Sequence, residues 1–189
     1  MSTSLVTPRP LNLIFDANVL AYAALAKLLL GFARHTRLFH PCWSQQILDE
    51  TWRTYAVKFG HGAQYATTRL AEITMGFPAA LQSDLEPLIA RCTNDPKDRH
   101  VLAAAIKAEA KVIVTFNQRH FAPEHLARWG ITAMHPQDFL LELYAKDSAA
   151  VWHELKLAAG KKGMPTRDLL RSYSPQLDRF KAAILADLP

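Results

Sequence analysis

The chain has 189 residues, half of them hydrophobic and 21% charged, with a formal net charge of +5. These values fit one ordinary globular domain plus a modest appendage and exclude a disordered chain or a small fold that needs disulfides to stand. The charge is compatible with a polyanionic partner without demanding one. The two cysteines, Cys42 and Cys92, do not form a metal-spaced pair and read as small buried hydrophobes of a reducing compartment.

Met1 to Pro10 is polar, with two prolines and no apolar run of the kind a signal peptide has. Leu11 to Phe15 reads as a buried strand and Val19 to Ala33 as a buried helix, too short for a bilayer. A cytoplasmic protein without a membrane segment is the expectation. Arg37 to His40 reads as a second strand that Pro41 stops. Cys42 to Phe59 reads as a helix, since Leu48, Trp52, Tyr55 and Phe59 recur at helical spacing, with Trp52 in the core. Further helix is expected from about Ala66 to Met75, and again from Pro78 to Arg91 with a break at Pro87. Asn94-Asp95-Pro96 is a helix start, with Asp95 at the N-cap and the helix running to about Ala110. Lys111 to Phe116 is the strongest strand. Its consecutive Val112, Ile113 and Val114 suit a strand covered on both faces. Ile131 to Met134 is a further strand, and Pro136 opens a helix through Tyr144.

Strands alternating with helices predict an α/β fold, a parallel sheet sandwiched between helical layers. We place this domain at 11–145. The remainder, 146–189, carries no strand signal and reads as a helical extension. Residues 150–189 hold seven Lys or Arg against four Asp or Glu, a net +3, with Lys161 and Lys162 in a loop that could meet the phosphates of a polyanion or a protein partner. A solvated helical cover explains them equally well.

Asp16 ends an apolar strand, where ligands of open parallel sheets bind; it would also cap the next helix. Asp98 stands on the same helical face as Val101, Leu102 and Ala105, where a carboxylate is costly unless paired or metal-bound. With Asp95 it also has the spacing of a capping box. Glu50 borders the apolar face of its helix, as a solvated flank residue would, while Asp49 points elsewhere. Asn117 ends the strongest strand as Asp16 ends the first, and Asn is also an ordinary turn residue. Together these groups could meet at one crevice, where clustered carboxylates need a cation and an oxygen-only set suits Mg²⁺ or Mn²⁺. Metal-assisted phosphodiester hydrolysis by an activated water is the chemistry such a site offers.

Four segments carry a family resemblance: Ile14-Phe15-Asp16-Ala17-Asn18-Val19-Leu20, Ser44 to Glu50, Asp95 to Ala105, and Val112-Ile113-Val114-Thr115-Phe116-Asn117. Over roughly residues 11 to 142 the chain resembles the PIN-domain family, and within it the VapC-like toxins of toxin–antitoxin pairs. The resemblance implies a PIN-like fold and a Mg²⁺- or Mn²⁺-dependent endoribonuclease, a hydrolase. It further implies a cognate antitoxin, a homodimer, and Asp16, Glu50 and Asp98 as metal ligands. Asn117 stands with His120 where the family usually has a further acid; it would position a metal or the substrate without adding charge. Asn18 and Thr115 are expected beside the substrate.

A phosphatase of the haloacid dehalogenase type would need an acid two residues after Asp16, where Asn18 stands. A receiver domain would need neighbouring acids near its start. A PIN scaffold that binds RNA or a protein without cutting is the alternative that Asn117 keeps open. The eight histidines form no metal motif, and His100 reads as a surface or cap residue. None of the tryptophans is read as a base-stacking platform.

Overall fold

The computed structural model describes residues 10–187; the reading of Met1 to Pro10 as free of a leader falls almost wholly outside them. The elements run β1 (Leu11–Phe15), α1 (Ala17–Leu20), α2 (Ala23–Thr36), β2 (Phe39–Ser44), α3 (Gln45–Arg53), α4 (Ala63–Gly76) and β3 (Leu81–Gln82). They continue with α5 (Glu86–Ile89), α6 (Arg99–Lys107), β4 (Val112–Val114), α7 (Pro123–Leu126), β5 (Thr132–Met134) and α8 (Pro136–Lys146). Helices α9 (Ser148–Lys161), α10 (Thr166–Arg171) and α11 (Asp178–Ala186) close the described chain.

The described strands form one parallel sheet in the order β3-β2-β1-β4-β5. The α/β fold with a helical C-terminal extension is therefore as the sequence implies. Chain order reverses at β1, which pairs with β2 on one side and β4 on the other. Such a reversal leaves a crevice beyond the carboxyl ends of the central strands. Asp16 and Thr115 are the first residues past β1 and β4, so both emerge there.

Beneath the crevice the core is aromatic and buried. Phe15 is 0% exposed and makes edge contacts with Phe39 and Phe139, with ring centroids 6.0 and 6.3 Å apart. Phe39 also stacks on Phe32. Val101, Leu102 and Ala105 are each 0% exposed, which places the apolar stripe of α6 against the sheet. The C-terminal helices belong to the same hydrophobic cluster through Val151, Leu155, Leu169, Leu170, Phe180 and Ile184. Helix α9 packs on α2. There the Glu154 carboxylate is paired with His35 and lies over Gly31, where a Cβ would collide with it.

Four local expectations are corrected. Strand β2 runs through Pro41 instead of stopping at it, because β3 pairs only with Trp43 and Ser44, so the missing N–H of Pro41 breaks no bond on that side. Residues 42–44 are therefore strand, and the helix starts after Ser44, whose Oγ accepts from the Ile47 N–H at 3.2 Å. Pro78 to Arg91 holds the edge strand β3 and the short α5 with Pro87 in its first turn, because Pro suits a helix start better than its interior. Trp52 is only partly buried and donates to Thr67 Oγ1 at the surface, whereas Trp43 is the core tryptophan at 1% exposure.

Candidate active site

The crevice is a cleft of about 480 Å³ whose walls include Asp16, Asn18, Glu50, Asp98 and Asn117. Asp16 and Asp98 are both N-cap residues by position, of α1 and α6, yet neither side chain makes a capping hydrogen bond. Asp95 instead caps the 3₁₀ turn Pro96–Asp98 that leads into α6, accepting from the Lys97 N–H at 3.0 Å. Both carboxylates line the same cleft.

Each acid has its own backing group. Asp16 is 3% exposed, and its Oδ2 accepts from Thr115 Oγ1–H and from Asn18 Nδ2–H, both at 2.6 Å. Asn18 Oδ1 accepts from the Phe116 N–H at 3.1 Å, and Thr115 Oγ1 accepts from the Asn117 N–H at 3.0 Å, which locks the strand exits together. His120 Nδ1 lies 2.5 Å from Asp98 Oδ2. His100 Nε2 lies 3.5 Å from Glu50 Oε2, longer than a regular hydrogen bond, and has no other partner among the described residues. His100 is 3% exposed, which corrects its reading as a surface or cap residue: its helix turns it inward behind Glu50.

Electrostatics follow from this geometry. Burial first, then the carboxylates of Asp98 and Glu50, push the Asp16 pKa up to about 6, against the hydrogen bond from Thr115. The site thus holds a carboxylate that is uncomfortable when ionised and alone. Asp49 turns outward to Gln45, as its sequence position implies.

The remaining expected residues divide. Asn117 and Asn18 line the cleft, but the amide of Asn18 is taken up in holding Asp16 and the strand exits. Thr115 is 0% exposed, and among the described residues its hydroxyl bonds only with Asp16, Asn18 and the Asn117 backbone. Lys161 and Lys162 are exposed at the end of α9 and do not line the cleft. The extension reaches it through Gln176 instead.

Sequence reading missed Arg53, Lys58, Tyr22, Phe59 and Phe116, all on the cleft wall. The cause is local. After α3 the chain makes a π-helical turn over Thr54–Lys58, which slips the helical frame by one residue and re-aims the side chains beyond it. Tyr55 anchors that turn by donating to the Leu20 carbonyl at 2.8 Å. Tyr22 then meets Phe59 and Phe116 with centroids 5.8 and 5.4 Å apart, an aromatic ledge with Tyr22 and Phe59 more than a third exposed.

Comparison with known proteins agrees with this geometry. The family model described as "PIN domain" matches residues 12–119, which contain every acid of the cleft. The chain is similar to "Putative ribonuclease VapC50" of Mycobacterium tuberculosis (strain ATCC 25618 / H37Rv), at 46% identity over 110 residues. Those residues are 57% of this chain and 65% of the relative, so the match spans slightly less than two thirds of that protein. No solved structure matches the chain. With the family model covering more than half of the sequence and its span enclosing the acidic crevice at β1 and β4, the chain belongs to the PIN-domain family.

Proposed function

We infer that the chain is a metal-dependent endoribonuclease of the VapC-like toxin type, with Asp16, Glu50 and Asp98 as the ligands of Mg²⁺ or Mn²⁺. One observation carries this reading: three carboxylates line a single cleft, and burial first, then the other two carboxylates, push the pKa of the buried one up to about 6. An oxygen-rich donor set of this kind fits a hard divalent cation. When bound, such an ion supplies charge stabilisation to a phosphoryl group and makes water a better nucleophile.

The chain's own residues supply the rest. Thr115 and Asn18 fix the Asp16 carboxylate, so no side-chain reorganisation is needed when substrate arrives. Arg53 and Lys58 bring positive charge to the cleft wall, where phosphates of a polyanion bind. The exposed faces of Tyr22 and Phe59 offer stacking surfaces to unpaired bases, which favours single-stranded RNA. Asn117 presents an amide to the cleft without adding charge. Lys161 and Lys162 enter the proposal only for an RNA long enough to leave the cleft.

A cognate antitoxin and a homodimer are part of the same proposal and rest on the family resemblance. No helix among the described residues is long and apolar enough to cross a membrane. The second reading, a PIN scaffold that binds RNA without cutting it, draws on Asn117 in place of an acid. The two separate in one assay: purified chain and single-stranded RNA, with EDTA and then with excess Mg²⁺ or Mn²⁺. Cleavage that stops in EDTA and returns with metal supports the nuclease. Full-rate cleavage in excess EDTA contradicts it, and binding without cleavage under every condition favours the scaffold.

A further inference from the structure

Asp98 is held differently from Asp16. Its side chain makes no capping bond to α6, although it occupies the N-cap position, and its hydrogen-bond partner among the described residues is His120. That partner sits in the turn after β4, in the 3₁₀ segment Gln118–His120, so an element on the far side of the crevice reaches back to steer the carboxylate. His120 is itself held: Arg119 Nε lies 3.0 Å from His120 Nε2. The Nε of an arginine always carries hydrogen and cannot accept. His120 Nε2 must therefore be the acceptor, which leaves the ring proton on Nδ1. Nδ1–H then donates to Asp98 Oδ2, at 2.5 Å.

We propose that His120 is a positioning residue, held by Arg119 with its Nδ1 toward Asp98, which orients the Asp98 carboxylate toward the cation of the cleft. The proposal rests on the metal-site reading above and adds to it the group that sets Asp98's direction. The chain thus treats its two aspartates in parallel: a hydroxyl and an amide donate to Asp16, an imidazole to Asp98. A partner that orients a metal ligand is typically worth about 10–100-fold in metal affinity.

The test uses the geometry of amide replacements. The side-chain nitrogen of Asn overlays Nδ1 of His, while that of Gln reaches the Nε2 position. Mn²⁺ affinity, measured by calorimetry on the full chain, should fall about 10–100-fold in His120→Ala. It should be largely restored in His120→Asn and stay low in His120→Gln, with circular dichroism confirming folded variants. Nitrogen-15 NMR of the wild-type ring gives a readout that needs no variant: Nδ1 should carry the proton in the metal-free chain. A ring protonated at Nε2 alone, a His120→Ala variant that binds Mn²⁺ like wild type, or a Gln variant that rescues as well as Asn would each overturn the role. Wild-type chain that fails to bind Mn²⁺ overturns the metal-site reading and the His120 role with it. Wild-type binding with an unaffected Ala variant overturns the His120 role alone.

Discussion

Asp16→Asn should abolish RNA cleavage, by at least about a hundredfold, and yet make the metal-free chain more stable. The swap keeps an oxygen to accept from Thr115 and Asn18 and removes the charge that burial and two neighbouring carboxylates oppose. The folded-state pKa of Asp16, about 6, lies above its ordinary value of 3.8. Between those values the folded chain binds the proton more tightly than the unfolded chain. Its stability therefore falls as pH rises through that window, and the loss is complete above it. The difference amounts to at most about 3 kcal/mol at neutral pH, to which other acids add their own terms. Thermal melts in EDTA should show wild type losing stability between pH 4 and pH 6 relative to Asp16→Asn, by roughly this amount. Adding Mg²⁺ or Mn²⁺ should raise the wild-type melting temperature more than that of the variant. A variant that melts below wild type at pH 7, with the same metal response, would mean that Asp16 serves the fold and not the site.

Phe15→Ala should be the most damaging of the core changes next to the site, costing about 3–5 kcal/mol. Phe15 is fully buried, touches the rings of Phe39 and Phe139, and is the residue that delivers Asp16 to the crevice. A cavity there removes apolar contacts and loosens the end of β1. Phe15→Leu retains most of the volume and should cost less than about 1.5 kcal/mol. Urea unfolding of both variants measures the difference. Equal losses would show that the cluster collapses freely around the gap and that β1 is not braced by it.

Much of the frame was legible because its signals are local. The apolar runs before Asp16 and Asn117 announce β1 and β4, and an acid-tipped strand in a parallel sheet points at the crevice. The apolar stripe after Asp98 announces the buried face of α6 in the same way. What stayed hidden depends on tertiary pairing or on irregular turns. Pro41 looked like a stop because the sequence does not state that β3 leaves that side of β2 unpaired. Lys58 and Phe59 looked ordinary because the π-helical turn after α3 shifts the helical frame that carries them, and Arg53 and Tyr22 because they reach the same wall from separate elements. His100 and His120 were visible as residues but not as backing groups. Their contacts to Glu50 and Asp98 span 50 and 22 positions of sequence and depend on how α6 meets α3 and the turn after β4.

The most direct measurement of the central claim is a crystal of the full chain soaked in Mn²⁺, with anomalous scattering used to locate the ion. A peak in the cleft bonded to carboxylate oxygens of Asp16, Glu50 and Asp98 is the predicted result, absent in crystals of Asp16→Asn treated identically. An ion bound elsewhere, with the three carboxylates of the wild-type cleft left without one at saturating Mn²⁺, would contradict it.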